Sequence, residues 1–122
     1  MEYYAAHTVI AFQRVDGVGP VSVLENIYLI RGKSPEEAME SARKLSELEA
    51  QNNGGFEING VPANCVYGGV RKLITICNDE PPGNDSRPDD GSEISYLSYE
   101  VGSLEDIERL ASGDACDIHL VD

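Results

Sequence analysis

Two runs of β-branched, aromatic and aliphatic residues open the chain, Tyr3 to Val15 and Val21 to Arg31, with Asp16-Gly17-Val18-Gly19-Pro20 between them. Strand formers on either side of a short Gly-rich turn predict a β-hairpin. In the first run Ile10 and Phe12 alternate with Val9 and Ala11, and in the second Ile27 and Leu29 alternate with Tyr28 and Ile30. Both sets are apolar, whereas a sheet with one wet face alternates apolar with polar. Both faces are therefore expected to be covered, one by a helix and the other by a second helix or another copy of the chain.

The spacing of apolar residues lengthens after Ser34. Ser34-Pro35-Glu36-Glu37 supplies a capping hydroxyl, a proline suited to the first helical position and the glutamate of an S-x-x-E capping box. Ala38, Ala42, Leu45 and Leu48 form the expected apolar stripe, widened by Met39, and Glu40 precedes Lys44 in the favourable order on the wet side. Asn52-Asn53-Gly54-Gly55 ends this helix, because Asn and Gly tolerate the left-handed C-cap conformation.

Phe56 to Pro62 reads as a short strand with Asn59-Gly60 as a tight turn, and Cys65 to Cys77 as a stronger one. Gly68-Gly69 marks a bulge, a bend or the close approach of another backbone. Residues 78–92 carry no apolar anchor and are expected to form a mobile acidic loop. A strand over Glu93 to Val101 follows, then a short helix capped by Ser103, carrying Leu104, Ile107, Leu110 and Ala111, and stopped by Gly113. The tail from Asp117 adds an edge strand or stays loose. This β-β-α-β-β-α order predicts one α+β domain over residues 1–122. An antiparallel sheet carries one long packed helix and a short C-terminal helix.

Several of these segments resemble a known family. Tyr3-Tyr4-Ala5 before an apolar strand, Leu24-Glu25-Asn26-Ile27-Tyr28-Leu29-Ile30, Lys33-Ser34-Pro35-Glu36-Glu37-Ala38 and Tyr67-Gly68-Gly69-Val70 are similar to a family of small bacterial proteins known only as a domain of unknown function. The resemblance covers roughly Tyr3 to Tyr99. It implies a fold and brings no activity and no catalytic residues.

Composition adds a charge asymmetry. The net charge is −13 over 122 residues. Met1 to Asn78 holds 9 acidic and 7 basic residues, while Asp79 to Asp122 holds 13 acidic and 2 basic, so the last third carries nearly all of the excess. Such a field repels nucleic acid polymers and anionic membranes and steers basic partners, here through Asp79, Glu80, Asp85, Asp89, Asp90, Glu105 and Asp106. No apolar run reaches the length of a membrane span, and the N-terminus lacks the basic start and cleavage site of a signal peptide, which predicts a cytoplasmic protein. Cys65, Cys77 and Cys116 are odd in number and lack C-x-x-C spacing, so they are expected to pack as small hydrophobes.

Chemistry is sparse along the chain. His7 and His119 lie far apart in strand-like runs, which argues against zinc, and neither is near a G-x-S-x-G elbow. Gly17-Val18-Gly19 lacks the third glycine of a dinucleotide site, and Asp85 to Glu93 lacks calcium-loop spacing. No catalytic residue, cofactor or metal is expected. Glu25 is the oddest residue, a carboxylate inside an apolar strand. It is expected to point outward or to pair with Arg31, Arg71 or Lys72, the alternative being a functional acid of raised pKa.

The first expectation is a non-catalytic binding protein, a homodimer acting through a protein–protein interface and inhibitor- or immunity-like toward a basic protein. The alternative is a sponge-like binder of a nucleotide or other small anion, as in phage. Arg14, Arg31, Arg71, Lys72, Tyr28 and Tyr67 would then form the pocket, at a subunit interface.

Overall fold

The computed structural model describes residues 2–52, 55–76 and 87–121. β1 (Glu2–Arg14) and β2 (Ser22–Gly32) form the expected hairpin, paired antiparallel from Glu2 opposite Gly32 to Phe12 opposite Ser22. Helix α1 (Pro35–Asn52) follows, then β3 (Glu57–Ile58) and β4 (Val61–Ile76). Asn59 and Gly60 both have positive φ, 51° and 79°, which is the backbone a two-residue hairpin turn demands. The sheet is antiparallel throughout, in the order β2-β1-β4-β3.

One long strand therefore replaces the separate start at Cys65, since β4 begins directly after the Asn59-Gly60 turn. The expected strand over Glu93 to Val101 contracts to β5 (Tyr99–Glu100), which pairs with β6 (His119–Leu120) in a separate two-stranded ribbon flanking α2 (Leu104–Ser112). Ser92 to Ser98 has strand-like composition but no strand to pair with among the described residues, so it runs without a ladder there. Residues 77–86, most of the expected mobile loop and including Cys77, lie outside the described residues.

α1 starts where the sequence places it. The Ser34 hydroxyl accepts the Glu37 backbone N–H at 3.1 Å. Its buried side differs from the expected stripe: Ala38, Ala42 and Ser46 are buried, while Leu45 is exposed and Leu48 is 54% exposed. The small residues let the helix lie close on the sheet. A Cβ added to Gly32 would stand 3.3 Å from that of Ala38. Tyr4, Ala6 and Ile30 complete this core, with Tyr28, Val70 and Leu73 packed at its edge. Bulky leucines at the contact would hold the helix away from it. The Ser46 hydroxyl has no hydrogen-bond partner among the described residues.

The other sheet face is covered only in part, by irregular chain: Val23, Ile27 and Leu29 on it stay exposed, and among the described residues no second helix packs there. Pro88 and Ile94 lie with Ala5 around one apolar hollow, and Ser95 lies on His7. α2 does not share in this. It buries no residue, and among the described residues no other helix or strand packs on it. No helix among the described residues is long and apolar enough to cross a membrane.

Candidate functional site

β-strand alternation puts His7 on the sheet face away from α1, with Ala5, Val9 and Ala11. Ile27 stands directly opposite His7 on β2, and Glu25 stands opposite Val9, so Glu25 and His7 are diagonal neighbours on one face. His7 Nδ1 lies 2.6 Å from Glu25 Oε2.

On the other side of β1 the pairing with β4 slips twice. His7 faces Lys72 but Thr8 faces Val70, and Val9 faces Gly69 but Ile10 faces Tyr67, so Arg71 and Gly68 are the extra residues of two bulges. These are the bulges that Gly68-Gly69 signalled. Only glycine fits at residue 68, where a Cβ would meet the Val9 carbonyl oxygen at 2.7 Å. Gly69 has φ +120°, a backbone that other residues rarely adopt. The distortion lets Arg71 reach across β1 to Glu25. Its Nε donates to Oε1 and its Nη2 to Oε2, both at 2.9 Å.

The Glu25 carboxyl is consequently held below the ordinary carboxylate range. The Arg71 hydrogen bonds are the main cause, outweighing the opposing effect of burial, and the His7 bond adds to them. Of the readings open for Glu25, pairing with Arg71 is the one found, and the shift runs opposite to that of a raised-pKa acid. An ionised carboxylate only accepts hydrogen bonds, so His7 Nδ1 carries the proton toward Glu25. In the neutral ring Nε2 then accepts, and its partner is the hydroxyl of Ser95. His7 is fully buried, and Ser95 is half-buried on the covering segment. Lys72 ties down the same segment, donating to the Tyr96 carbonyl at 2.5 Å with its ammonium 4.5 Å from the Tyr96 ring centre.

A hollow of about 290 Å³ opens at this point, lined by His7, Ile27, Ile94, Ser95, Tyr96 and Leu97. A second, of about 170 Å³, shares Ile27 and Ile94 and continues over Ala5, Leu29, Ile76 and Pro88. Among the described residues no group of three or more His, Cys, Asp or Glu is placed to hold a metal ion.

Linear spacing hid the Ser95–His7–Glu25 arrangement, whose members are separated by 18 and 70 residues along the chain. The one available signal was Glu25, a carboxylate in an apolar run that needed a partner.

The residues expected to form an anion pocket do not come together. Arg14 pairs with Asp16 at 2.6 Å at one end of β1, while Arg31 lies opposite Tyr3 at the other end, 5.7 Å from that ring's centre. Tyr28 and Tyr67 lie in register with Ala6 and Ile10 on the α1 side, whereas Lys72, opposite His7, is on the far side with the Arg71 guanidinium. Tyr67 borders a shallow depression with Glu47, Ala50, Gln51 and Cys65. Burial, with a smaller contribution from the Glu49 charge, raises the Cys65 thiol pKa, as fits an idle cysteine.

Of the acidic surface, Asp89 and Asp90 lie in a turn closed by Ser92, and Glu105 and Asp106 occupy the first turn of α2, with Asp106 bound to Arg109 at 2.9 Å. Asp79, Glu80 and Asp85 lie outside the described residues. No protein-family model, curated protein or solved structure matches this chain.

Proposed function

We propose that this chain is a binding protein that acts through a protein–protein interface, first with a second copy of itself. The supporting observation is the free edge of β2. Among the described residues it is an unpaired edge of 11 residues, with no lysine and no proline inside it. Natural edge strands are usually short, bulged, charged or covered, because a bare edge pairs with another chain. On the side away from α1, Val23, Ile27 and Leu29 are also exposed, Val23 at 63%. Antiparallel β2–β2 pairing around a two-fold axis joins the sheets and buries these residues against their equivalents.

The acidic side of α2, with Glu105, Glu108 and Asp114, is the surface for a basic protein partner, in an inhibitor-like role.

Light scattering on the eluting protein tests the pairing. A dimer is expected for the natural chain and a monomer for Val23→Lys, whose side chain is already in solvent in the single chain. A natural chain that stays monomeric at tens of micromolar overturns the pairing. For the acidic surface, the supporting result is a basic protein captured at low salt and lost both at high salt and with Glu105→Gln/Glu108→Gln. Capture indifferent to both overturns that part.

A further inference from the structure

We propose that Ser95 is a nucleophile, activated by His7 and Glu25, that accepts the acyl group of an ester of an apolar carboxylic acid. This goes beyond the binding role.

Four separate pieces of chain converge on the site: β1 brings His7, β2 brings Glu25, the β4 bulge brings Arg71, and the covering segment brings Ser95. Their order of contact is that of a nucleophile, a base and a carboxylate that orients the base. Arg71 keeps Glu25 ionised and fixes its plane through two hydrogen bonds. Glu25 in turn fixes the imidazole tautomer, leaving Nε2 free to take the Ser95 proton. A tether that merely held the segment to the sheet would need no such oriented chain of three groups. Nor would it need two bulges to deliver the arginine.

The surroundings suit an acyl substrate. Ser95 lines one hollow with His7, and Ile27 and Ile94 line both that hollow and the apolar one. A guest the size of benzene fills a cavity of about 150 Å³, and the apolar hollow, open on one side, has about 170 Å³, room for a short acyl chain. The backbone N–H groups of Tyr96 and Leu97 follow directly after the nucleophile. They are the donors at hand for an oxyanion forming on the Ser95 adduct.

The chemistry balances with the ester and water alone. Ser95 Oγ bonds to the carbonyl carbon while its proton passes to His7 Nε2. The carbon–oxygen bond to the alcohol then breaks, and the departing oxygen takes the proton from Nε2. Water attacks the acyl-Ser95 carbon and gives a proton to Nε2. The Oγ–carbon bond breaks, Oγ recovers the proton, and the carboxylic acid leaves. Glu25 stays ionised throughout, stabilising the imidazolium in each half.

Two probes test this: a fluorophosphonate, read by intact mass and peptide mapping, and p-nitrophenyl butyrate, read by nitrophenol release. One phosphonyl group on Ser95 is expected, forming at least tenfold faster in native protein than in urea. No such adduct forms on Ser95→Ala. Ser95 is only half-buried, so this variant is expected to fold, and its thermal unfolding is the control. Glu25→Gln is expected to slow labelling and shift its pH profile, with Arg71 and Lys72 as the other charges near the ring. Labelling of Ser95 no faster in the native state than in urea overturns the proposal, and so does an unchanged adduct on Ser95→Ala. Either result makes the cluster a structural tether.

Discussion

The two helices of this chain invert the usual relation between amphipathicity and burial. α1 carries mostly small and charged residues, yet it is the one embedded, lying on the sheet through Ala38, Ala42 and Ser46. α2 has the cleaner division of apolar from polar residues, yet it buries none, and Leu104 is 82% exposed. An apolar stripe says how much surface a helix offers for covering. Whether it is covered depends on what lies within reach. α1 follows β2 across a two-residue connection, so it folds back on its own hairpin. α2 sits between the two strands of the small β5–β6 ribbon, and among the described residues it meets no strand of the main sheet.

That contrast is sharpest in the cores. Ile30 packs beneath α1 with Tyr4, Ala38 and Ala42. Replacing it with alanine is expected to cost about 2–5 kcal/mol of unfolding free energy by urea titration. Leu104→Ala is expected to stay within about 0.5 kcal/mol of the natural chain. A large loss at Leu104 would mean that α2 is packed in solution, and the contrast would fail.

A smaller effect separates the two sheet faces by pH. Glu25 is depressed in the folded state, so the unfolded chain binds more protons and stability rises with pH across that interval. The stabilisation is complete above the ordinary carboxylate pKa and is lost as pH falls through the lower folded value. Removing the acceptor of two charge-assisted bonds with Glu25→Ala is expected to cost about 2 kcal/mol near neutrality. The variant is also expected to lose part of the acid-side fall in urea midpoint. An acid limb unchanged by the variant would show that Arg71 and His7 find other acceptors.

The smallest test compares the helix starts. Ser34 accepts the Glu37 N–H, whereas Ser103 stands at the cap position of α2 without a side-chain cap bond. Ser34→Ala is expected to cost about 1 kcal/mol, and Ser103→Ala less than about 0.5 kcal/mol. Equal losses would put the Ser103 bond back in solution.

Much of the frame was legible in the residues. The hairpin followed from strand formers around Gly17 and Gly19, the start of α1 from Ser34-Pro35, and the end of α2 from Gly113, whose φ is +82°. The Gly68-Gly69 pair announced a backbone irregularity without saying what it was for. Other features were out of reach. Ser92 to Ser98 has strand composition, but a strand exists only where a partner ladder does. Leu45 and Leu48 satisfy a helical repeat, yet the contact went to the smaller residues one turn-face away.

The sequence by itself determined the local matters: turns, caps, strand periodicity and the uneven charge, because each depends on residues within a few positions of one another. Tertiary structure alone decided which side of α1 is dry, that irregular chain covers part of the second sheet face, and that Ser95 meets His7. Those outcomes depend on the register of β1 against β4. Two bulges there displace Arg71 onto Glu25, and no local pattern records which distant strand a residue will face.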